Sequence, residues 1–363
     1  MRYNSSTMKD QFGREVHSMR VSVTDRCNMR CFYCLSGDKL QLKPKDEILS
    51  LEEIEEVCHA GAACGINYIR FTGGEPLVRM GIISLIEKVG RIEGIRKIGL
   101  STNASQLAEY RDALYAAGVR NLNISLDSLR TDRFAQITRG GKLKQTFDGI
   151  MAAVEHGGFT IKLNCVMMRG FNEDELPELA ALTRQYPISV RFIEYMPMGE
   201  WQRELALKNM GENIADGADD EFAAFGGHKA ATEFLKRTPQ EQMYSIEEMK
   251  RDLARKFELE ETQEKPDGAG PARYFKIKGA KGFIGVISPV FNPFCENCNR
   301  IRLTSDGRLK SCLLHDEKYY VKKLLRSPDY SRDKLTALLK EAIWNKPEKH
   351  EFSRNFDMST VGG

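Results

Sequence analysis

The chain has 363 residues, of which 41% are hydrophobic and 29% are charged, with a formal net charge of +3. This composition is typical of a globular protein with a sizeable core, and the small net charge argues against a chain-wide nucleic-acid-binding surface. No apolar stretch approaches the ~20 residues of a membrane span, and residues 1–16 lack the apolar core of a signal peptide. We therefore expect a cytoplasmic protein that binds neither membranes nor nucleic acid.

The first half of the chain alternates β-branched segments with amphipathic segments, which is typical of a parallel α/β fold. Helices are predicted at 51–65, where Ser50 and Glu53 form a capping box, and at 106–118, where Gly118 ends the helix. Right-handed crossovers place every strand-to-helix loop at one edge of the sheet. The sequence therefore predicts a partial (β/α)6 barrel of the TIM type, with its active site at that edge. Its strands are predicted at residues 19–24, 68–72, 97–101, 121–126, 160–167 and 189–194.

The chain divides into three regions by composition and pattern. Residues 1–200 carry the barrel pattern, and residues 244–363 form a carboxy-terminal region that we expect to pack against it. Between them, residues 201–243 are rich in Gly, Ala, Asp and Glu and show weak periodicity. We interpret this middle region as a mobile surface insertion, for which a tolerated loop expansion is the simplest account.

The nine cysteines indicate metal binding rather than disulfides, because disulfides are rare in the cytosol and the count is odd. Three of them, Cys58, Cys64 and Cys165, lie in apolar segments and are predicted to be core residues. The others form two groups, the first made of Cys27, Cys31 and Cys34, the second of Cys295, Cys298 and Cys312.

The first cysteine group, Cys27-x3-Cys31-x2-Cys34, lies in the loop after the first predicted strand. Three thiolates at this spacing can hold three irons of a 4Fe–4S cluster and leave the fourth iron open to another ligand. An open coordination position is typical of a catalytic metal site. The alternative is a zinc knuckle, but the loop offers no fourth Cys or His.

The second cysteine group, Cys295-x2-Cys298-x13-Cys312, is more ambiguous, because His315 would complete a Cys3His zinc site. Arg300 and Arg302 follow directly and, two residues apart on a strand, face the same way. Planar guanidinium groups suit phosphate oxygens, and a structural zinc site does not need them. These arginines therefore favour an anion-binding site, although a salt-bridged surface strand would also explain them.

The first cysteine loop, with Tyr33 before its last cysteine, resembles that of the radical S-adenosylmethionine (SAM) superfamily. Gly73-Gly74-Glu75-Pro76 extends this resemblance, with glycines that let backbone approach a ligand and a carboxylate suited to the SAM ammonium. More narrowly, the chain resembles the GTP 3′,8-cyclase family, which begins molybdenum-cofactor synthesis. That resemblance is carried by residues 25–34, 71–77, 123–128, 191–197, 270–274, 295–307 and 362–363.

The resemblance implies two 4Fe–4S clusters, SAM, and GTP as the substrate. An electron from the first cluster would cleave SAM to a 5′-deoxyadenosyl radical, which would take hydrogen from the ribose C3′ of GTP. The ribose carbon would then bond to guanine C8, giving 3′,8-cyclo-7,8-dihydro-GTP, while the second cluster holds the guanine. The implied partners are a reducing electron donor and a downstream cyclic pyranopterin monophosphate synthase. The sequence does not define the oligomeric state, for which a homodimer is one alternative.

The resemblance also assigns roles to individual residues. All six grouped cysteines would bind clusters, and the terminal pair Gly362 and Gly363 would enter the active site as a catalytic tail. The SAM site would be lined by Tyr33, Gly74, Ser125 and Met196. GTP would be bound by Arg20, Arg70, Ser101, Lys162, Arg191, Arg300 and Arg302.

Several positions depart from the family pattern. Leu35-Ser36 replaces Met-Pro, and Gly81 stands where an aspartate is common. Tyr68 replaces a lysine, which removes one candidate cation for phosphate binding. These departures leave room for an altered substrate or a weakened enzyme. Two alternatives therefore stay open: a radical SAM enzyme that modifies peptides with an auxiliary cluster, and a zinc-stabilised module that uses its arginines to bind nucleic acid.

Overall fold

One sheet of twelve strands organises the computed structural model, which describes residues 7–34, 42–196, 227–268, 270–315 and 319–349. The first six strands are parallel neighbours in chain order, as the sequence predicts. They are β1 Ser18–Ser22, β2 Tyr68–Thr72, β3 Lys97–Thr102, β4 Val119–Ser125, β5 Thr160–Met167 and β6 Ser189–Glu194.

The carboxy-terminal strands extend this sheet at both edges. β9 pairs in parallel with β6, and β10 pairs in parallel with β1, so the order is β12-β11-β10-β1-β2-β3-β4-β5-β6-β9-β8-β7. Because β12 and β7 end the order, the sheet does not close and the partial barrel is confirmed. The added strands are β7 Leu259–Glu261, β8 Arg273–Ile277, β9 Phe283–Ile287, β10 Arg300–Leu303, β11 Arg308–Lys310 and β12 Tyr319–Tyr320.

Helices connect the parallel strands and cover the outer face of the sheet. The capping box of α1 is confirmed, because Ser50 Oγ accepts from the Glu53 amide at 3.1 Å and Glu53 Oε2 accepts from the Ser50 amide at 2.8 Å. Gly118 follows α3 with a φ of +100°, which suits a helix end. The helices are α1 Leu51–Ala63, α2 Ile82–Gly90, α3 Leu107–Ala116, α4 Thr131–Thr138, α5 Leu143–His156, α6 Leu176–Gln185, α7 Gly227–Lys236, α8 Pro239–Gln242, α9 Ile246–Ala254, α10 Val321–Leu325 and α11 Arg332–Trp344. None of these helices is long and apolar enough to cross a membrane.

The two faces of the sheet differ in polarity because alternate residues of a strand point to opposite sides. Met19, Phe71 and Leu122 belong to the buried apolar set that packs under the helices. On each strand, the residues that alternate with this buried apolar set form the inner face. On that face Arg20 lies in register with both Arg70 and Arg302. The fold therefore collects charged side chains in the interior of the partial barrel.

The described part of the middle region is helical and packs against the protein rather than forming an exposed loop. Phe234 of α7 is 1% exposed, and its ring centroid lies 5.7 Å from that of Phe32 and 5.6 Å from that of Phe171. Phe32 lies between two cysteines of the first group, so α7 covers the back of that loop. Residues 201–226 lie outside the described ranges.

Candidate active site

The carboxyl ends of β1 to β4 bring together the loops that carry the first cysteine group and its neighbours. Gly74 N donates to Thr24 O, and Glu75 N donates to Arg26 O, both at 2.8 Å. A Cβ on Gly74 would lie 2.2 Å from Arg26 O. Glycine is therefore needed here because the two backbones touch, a closer constraint than the ligand approach expected from the sequence.

Glu75 is 1% exposed, and its carboxylate accepts hydrogen bonds from the end of the neighbouring strand β3. Its oxygens accept from Thr102 Oγ1 at 2.7 Å, from the Asn103 amide at 2.7 Å and from the Leu77 amide at 3.1 Å. Burial raises the pKa of this carboxyl to about 7 despite these hydrogen bonds. Glu75 thus fixes Asn103, whose Nδ2 lies 3.9 Å from Cys27 Sγ; the sequence had indicated a direct role toward an ammonium.

The thiols of the first group lie close together in a desolvated loop. Burial raises the pKa of Cys31 well above its usual value, and the negative charges of Cys34, Asp127 and Cys27 raise it further. Burial also raises the pKa of Cys27. Adjacent buried thiolates are unfavourable unless a bound cation compensates their charge, so this loop fits a metal cluster.

Tyr33 connects the same loop to the end of β4. Its hydroxyl donates to Asp127 Oδ2 at 2.5 Å, while Asp127 Oδ1 accepts from the Val166 amide at 2.7 Å. Burial raises the pKa of Asp127 to about 6. Asp127 was not among the predicted site residues, although its place in Asn123-x-Ser-Leu-Asp at a strand end is a signal that could have found it.

The second cysteine group lies at the amino end of β10, in positive surroundings. Burial would raise the pKa of Cys298, but the charges of Arg300 and Lys346 outweigh it and lower the pKa to about 6. Cys298 is an electrostatic neighbour of Cys312, whose pKa is raised by burial. A stabilised thiolate at Cys298 is suited to binding metal.

The zinc alternative gains no support from side-chain geometry. Within the described ranges, no three Cys, His, Asp or Glu side chains form a group that could hold a single metal ion, and this applies to both cysteine groups and to the surroundings of His315. A 4Fe–4S cluster binds each thiolate through a different iron, so its ligands do not have to converge on one point.

The inner face of the sheet gathers cations from five strands. Burial lowers the pKa of Arg20 well below its usual value, and Arg302, Arg300, Arg70 and Arg191 lower it further. Arg70, Arg191 and Arg302 are each 4–5% exposed. Such a concentration of buried positive charge costs folding free energy unless an anion compensates it. The interior therefore fits a polyanionic ligand.

Lys162 joins this set from β5 and is 0% exposed. Burial, together with Arg70 and Arg191, lowers its pKa to about 6. Its Nζ donates to Asn121 Oδ1 at 2.9 Å, and Asn121 Nδ2 donates in turn to Asp267 Oδ2 at 3.0 Å. The loop that contains Asp267 therefore lies against the amino-terminal end of the inner face.

Unpartnered polar atoms also mark the inner face. The buried Oδ1 atoms of Asn123 and Asn164, and Nε of Arg191, have no hydrogen-bond partner among the described residues. Ser101 is in register with Asn123, and Ser125 with Asn164, on adjoining strands. An unpaired buried polar atom costs about 1–3 kcal/mol. A polar ligand here would supply the missing partners.

Not every predicted site residue belongs to these clusters in the described chain. Ser125 is exposed at the end of β4, and Met196 is half-buried just beyond β6, both on the edge that carries the first cysteine loop. Gly362 and Gly363 lie outside the described residues, as do Leu35 and Ser36.

Sequence profiles of two protein families match the chain. The profile of the radical SAM superfamily matches residues 21–183, and that of Molybdenum Cofactor Synthesis C matches residues 230–352. The two matches together cover both cysteine groups.

Several relatives match almost the whole chain, and three of them carry the name GTP 3′,8-cyclase. The relative from Alkaliphilus metalliredigens is 40% identical over 98% of this chain and 100% of its own length. The relative from Pelotomaculum thermopropionicum is 39% identical with the same coverage of both chains. The relative from Listeria monocytogenes is 40% identical over 95% of this chain and 92% of its own length.

Solved structures agree in fold. Streptococcus suis SuiB bound to its precursor peptide SuiA has a TM-score of 0.50 and 14% sequence identity, over 96% of this chain and 67% of that one. At this identity the similarity concerns the fold alone. The full-length relatives, by contrast, decide the family: the chain belongs to the radical SAM superfamily and, within it, to the family of GTP 3′,8-cyclases.

Proposed function

We propose that this protein converts GTP to 3′,8-cyclo-7,8-dihydro-GTP, the first step of molybdenum-cofactor biosynthesis, with SAM and two 4Fe–4S clusters as cofactors. The observation that carries the proposal is the set of buried cations between two cysteine groups. The first group follows the carboxyl end of β1, and the second flanks the amino end of its parallel neighbour β10. The two groups are thus separated by about the length of β1, roughly 15 Å at 3.3 Å per residue.

The proposed cluster ligands are the six grouped cysteines. When bound, the first cluster supplies the electron that cleaves SAM. The proximity of the Cys31, Cys34 and Cys27 thiols supports one set, and the stabilised thiolate of Cys298 supports the other. The proposed second set is completed by Cys295 and Cys312.

The proposed SAM site follows the carboxyl edge of the sheet. Tyr33 and Gly74 lie on two loops joined by hydrogen bonds, which supports their placement beside the first cluster. Ser125 ends β4 and Met196 follows β6, both on the same edge of the sheet. The Tyr33–Asp127 hydrogen bond would keep the loop closed behind the bound cofactor.

The proposed GTP site occupies the inner face. Arg20, Arg70, Lys162, Arg191 and Arg302 are suited to the triphosphate, since charge-assisted hydrogen bonds to phosphate are strong. Ser101 and Arg300 complete the proposed set. The catalytic tail, Gly362 and Gly363, is proposed from the family resemblance alone.

The remaining proposals concern organisation and partners. We propose a barrel region over residues 1–200, an insertion over 201–243 and a cluster-binding region over 244–363. The protein would receive electrons from a reducing donor, pass its product to a cyclic pyranopterin monophosphate synthase and form a homodimer. Nine free cysteines favour the reducing cytoplasm as its location.

The decisive test is anaerobic incubation with SAM, dithionite and GTP deuterated at C3′. Because the expected product is an isomer of GTP, it must be separated by chromatography before mass analysis. We expect consumption of GTP and appearance of one deuterium in 5′-deoxyadenosine. A peptide-modifying enzyme would cleave SAM without consuming GTP, and unlabelled 5′-deoxyadenosine with intact GTP would contradict the proposal.

Gly74→Ala is expected to disrupt the first cluster. The added Cβ would collide with Arg26 O at 2.2 Å, so the cysteine loop must move away from the Gly-Gly-Glu-Pro turn. After anaerobic reconstitution, the iron content should fall from about eight to about four atoms per chain.

The matched control is Gly118→Ala, where nothing lies within 4 Å of the added Cβ. It should cost about 1–2 kcal/mol of stability through its positive φ and leave the iron content unchanged. Full iron in Gly74→Ala would contradict the close approach.

GTP binding is expected to take up a proton at Lys162. Burial and neighbouring cations lower the pKa of the free lysine to about 6, so it is mostly neutral at pH 7.5. A bound triphosphate would raise that pKa, so the contribution of Lys162 to affinity is full below pH 6 and is lost as pH rises toward the bound pKa.

Calorimetry in buffers of different ionisation enthalpy measures this proton uptake. At pH 7.5 we expect up to one proton per GTP, and Lys162→Met should remove it. Lys88→Met, which replaces an exposed lysine paired with Glu55, serves as the control and should keep it. Equal proton uptake by the wild-type and Lys162→Met proteins would contradict this assignment.

A further inference from the structure

Lys346 is a buried cation beside the second cysteine group. It follows α11 and is 2% exposed. Its Nζ donates to Ser311 O at 2.6 Å and to Arg300 O at 2.9 Å, and lies 3.6 Å from Cys298 Sγ. In the described part of the chain it forms no ion pair with a carboxylate. A buried ammonium is costly without a negative partner, so this position calls for an anionic group nearby.

The contacts of Lys346 join the two segments that carry the second cysteine group. Arg300 lies two residues after Cys298, and Ser311 directly precedes Cys312. The Lys346 ammonium therefore joins the segment that carries Cys298 to the segment that carries Cys312, between which β10 and β11 lie in the chain. Its third contact is the Cys298 sulfur itself.

Arg14 holds the segment after α11 in place. Its Nη1 donates to Cys295 O at 2.9 Å and to Glu348 O at 3.0 Å, and its Nη2 donates to Pro347 O at 2.7 Å. Asp10 fixes the guanidinium through an ion pair at 2.6 Å. The backbone segment that carries Lys346 is thus held in position by Arg14.

We propose that Lys346 is a positioning residue for the second 4Fe–4S cluster, where its ammonium joins the Cys298 and Cys312 segments and places a positive charge beside the Cys298 sulfur that would bind the cluster. This inference rests on the proposed assignment of these cysteines as ligands. Reduction makes a cluster more negative, and a nearby positive charge and N–H···S contact stabilise the reduced form. Lys346 therefore raises the reduction potential of the second cluster.

The test is a redox titration of the full-length protein carrying both clusters, followed by electron paramagnetic resonance. The signal that is missing from Cys312→Ala identifies the second cluster. In Lys346→Met we expect that signal to move to a lower midpoint potential, while the first cluster keeps its own. Lys346→Arg, which preserves the charge, should restore most of the wild-type potential. Lys340→Met, an exposed position on α11, is the control.

If Lys346 only joins the two segments by hydrogen bonds, without electrostatic influence, the midpoint potential of the second cluster would be unchanged in Lys346→Met. That result would overturn the proposal. If Lys346→Met does not fold, Lys346→Gln keeps a donor for the two carbonyls without the charge, and the same shift is expected. Loss of the second cluster in both neutral variants, with retention in Lys346→Arg, would also support the role. Full iron in Cys312→Ala would instead refute the ligand assignment, independently of Lys346.

Discussion

Cys31→Ala is expected to abolish reductive cleavage of SAM and to leave the second cluster in place. With one of three thiolates removed, the first loop cannot hold a 4Fe–4S cluster with a single open iron. The iron content should fall from about eight to about four atoms per chain. Anaerobic assay with dithionite, with 5′-deoxyadenosine quantified by chromatography, measures the loss.

The matched control is Cys58→Ala. Cys58 is a fully buried thiol in α1 that belongs to the apolar core and to neither cysteine group, and its replacement removes only one sulfur from the core. We expect a stability loss of about 1 kcal/mol and normal SAM cleavage. Cleavage that persists in Cys31→Ala would show that another set of ligands binds the catalytic cluster.

The strands and their loops were predictable because their signals are local. Buried parallel strands favour β-branched residues. The three cysteines of the first group lie within residues 27–34, in the single loop that follows β1. Alternation on a strand also predicted that Arg300 and Arg302 face the same way, and both are charged neighbours of Arg20 on the inner face. These predictions depend on residues that are close together in the chain.

The features that the sequence analysis missed depend on contacts between distant residues. Lys346 meets Cys298 across 48 positions, and nothing around Lys346-Pro347 indicates a metal neighbour. The hydrogen bonds of Glu75 to the end of β3 depend on strand order. Helix α7 lies in a region of weak periodicity, and its position against Phe32 becomes apparent only in the folded chain.

Tyr68 departs from the family pattern, and the structure gives it a role that the sequence did not indicate. The sequence indicated that replacing a lysine here removes a phosphate-binding cation. In the structure the Tyr68 hydroxyl accepts a hydrogen bond from Arg70, whose Nη1 also donates to Leu100 O at 3.1 Å. Tyr68 therefore helps to orient the neighbouring arginine, and the inner face keeps its positive charge.

Arg20→Met is expected to have opposite effects on folding and on substrate binding. In the described chain the Arg20 guanidinium makes no hydrogen bond or ion pair, and its charged neighbours Arg302, Arg300, Arg70 and Arg191 are all cations. An apolar side chain of similar length removes this repulsion and the cost of desolvating the charge. The free energy of unfolding without GTP should therefore rise by about 1 kcal/mol or more.

The same substitution removes a cation from the proposed triphosphate site. A hydrogen bond to a charged group contributes about 1.5–3 kcal/mol, so GTP should bind about 10- to 100-fold more weakly. Thermal unfolding with and without GTP, together with calorimetric titration, measures both effects on protein whose iron content is unchanged. Arg332→Met, which removes an exposed arginine paired with Glu56, should shift neither quantity by more than about 1 kcal/mol.

A rise in stability together with a fall in GTP affinity is the informative result. If Arg20 were retained for folding, replacing it would lower the free energy of unfolding of the protein. If Arg20→Met destabilises the protein and leaves GTP affinity intact, Arg20 serves the fold and the inner face is not the triphosphate site. If stability rises while affinity falls, the repulsion among the cations is a cost that the fold carries for its ligand. GTP should then raise the unfolding temperature of the wild-type protein more than that of Arg20→Met, since only the wild-type protein has this repulsion to relieve.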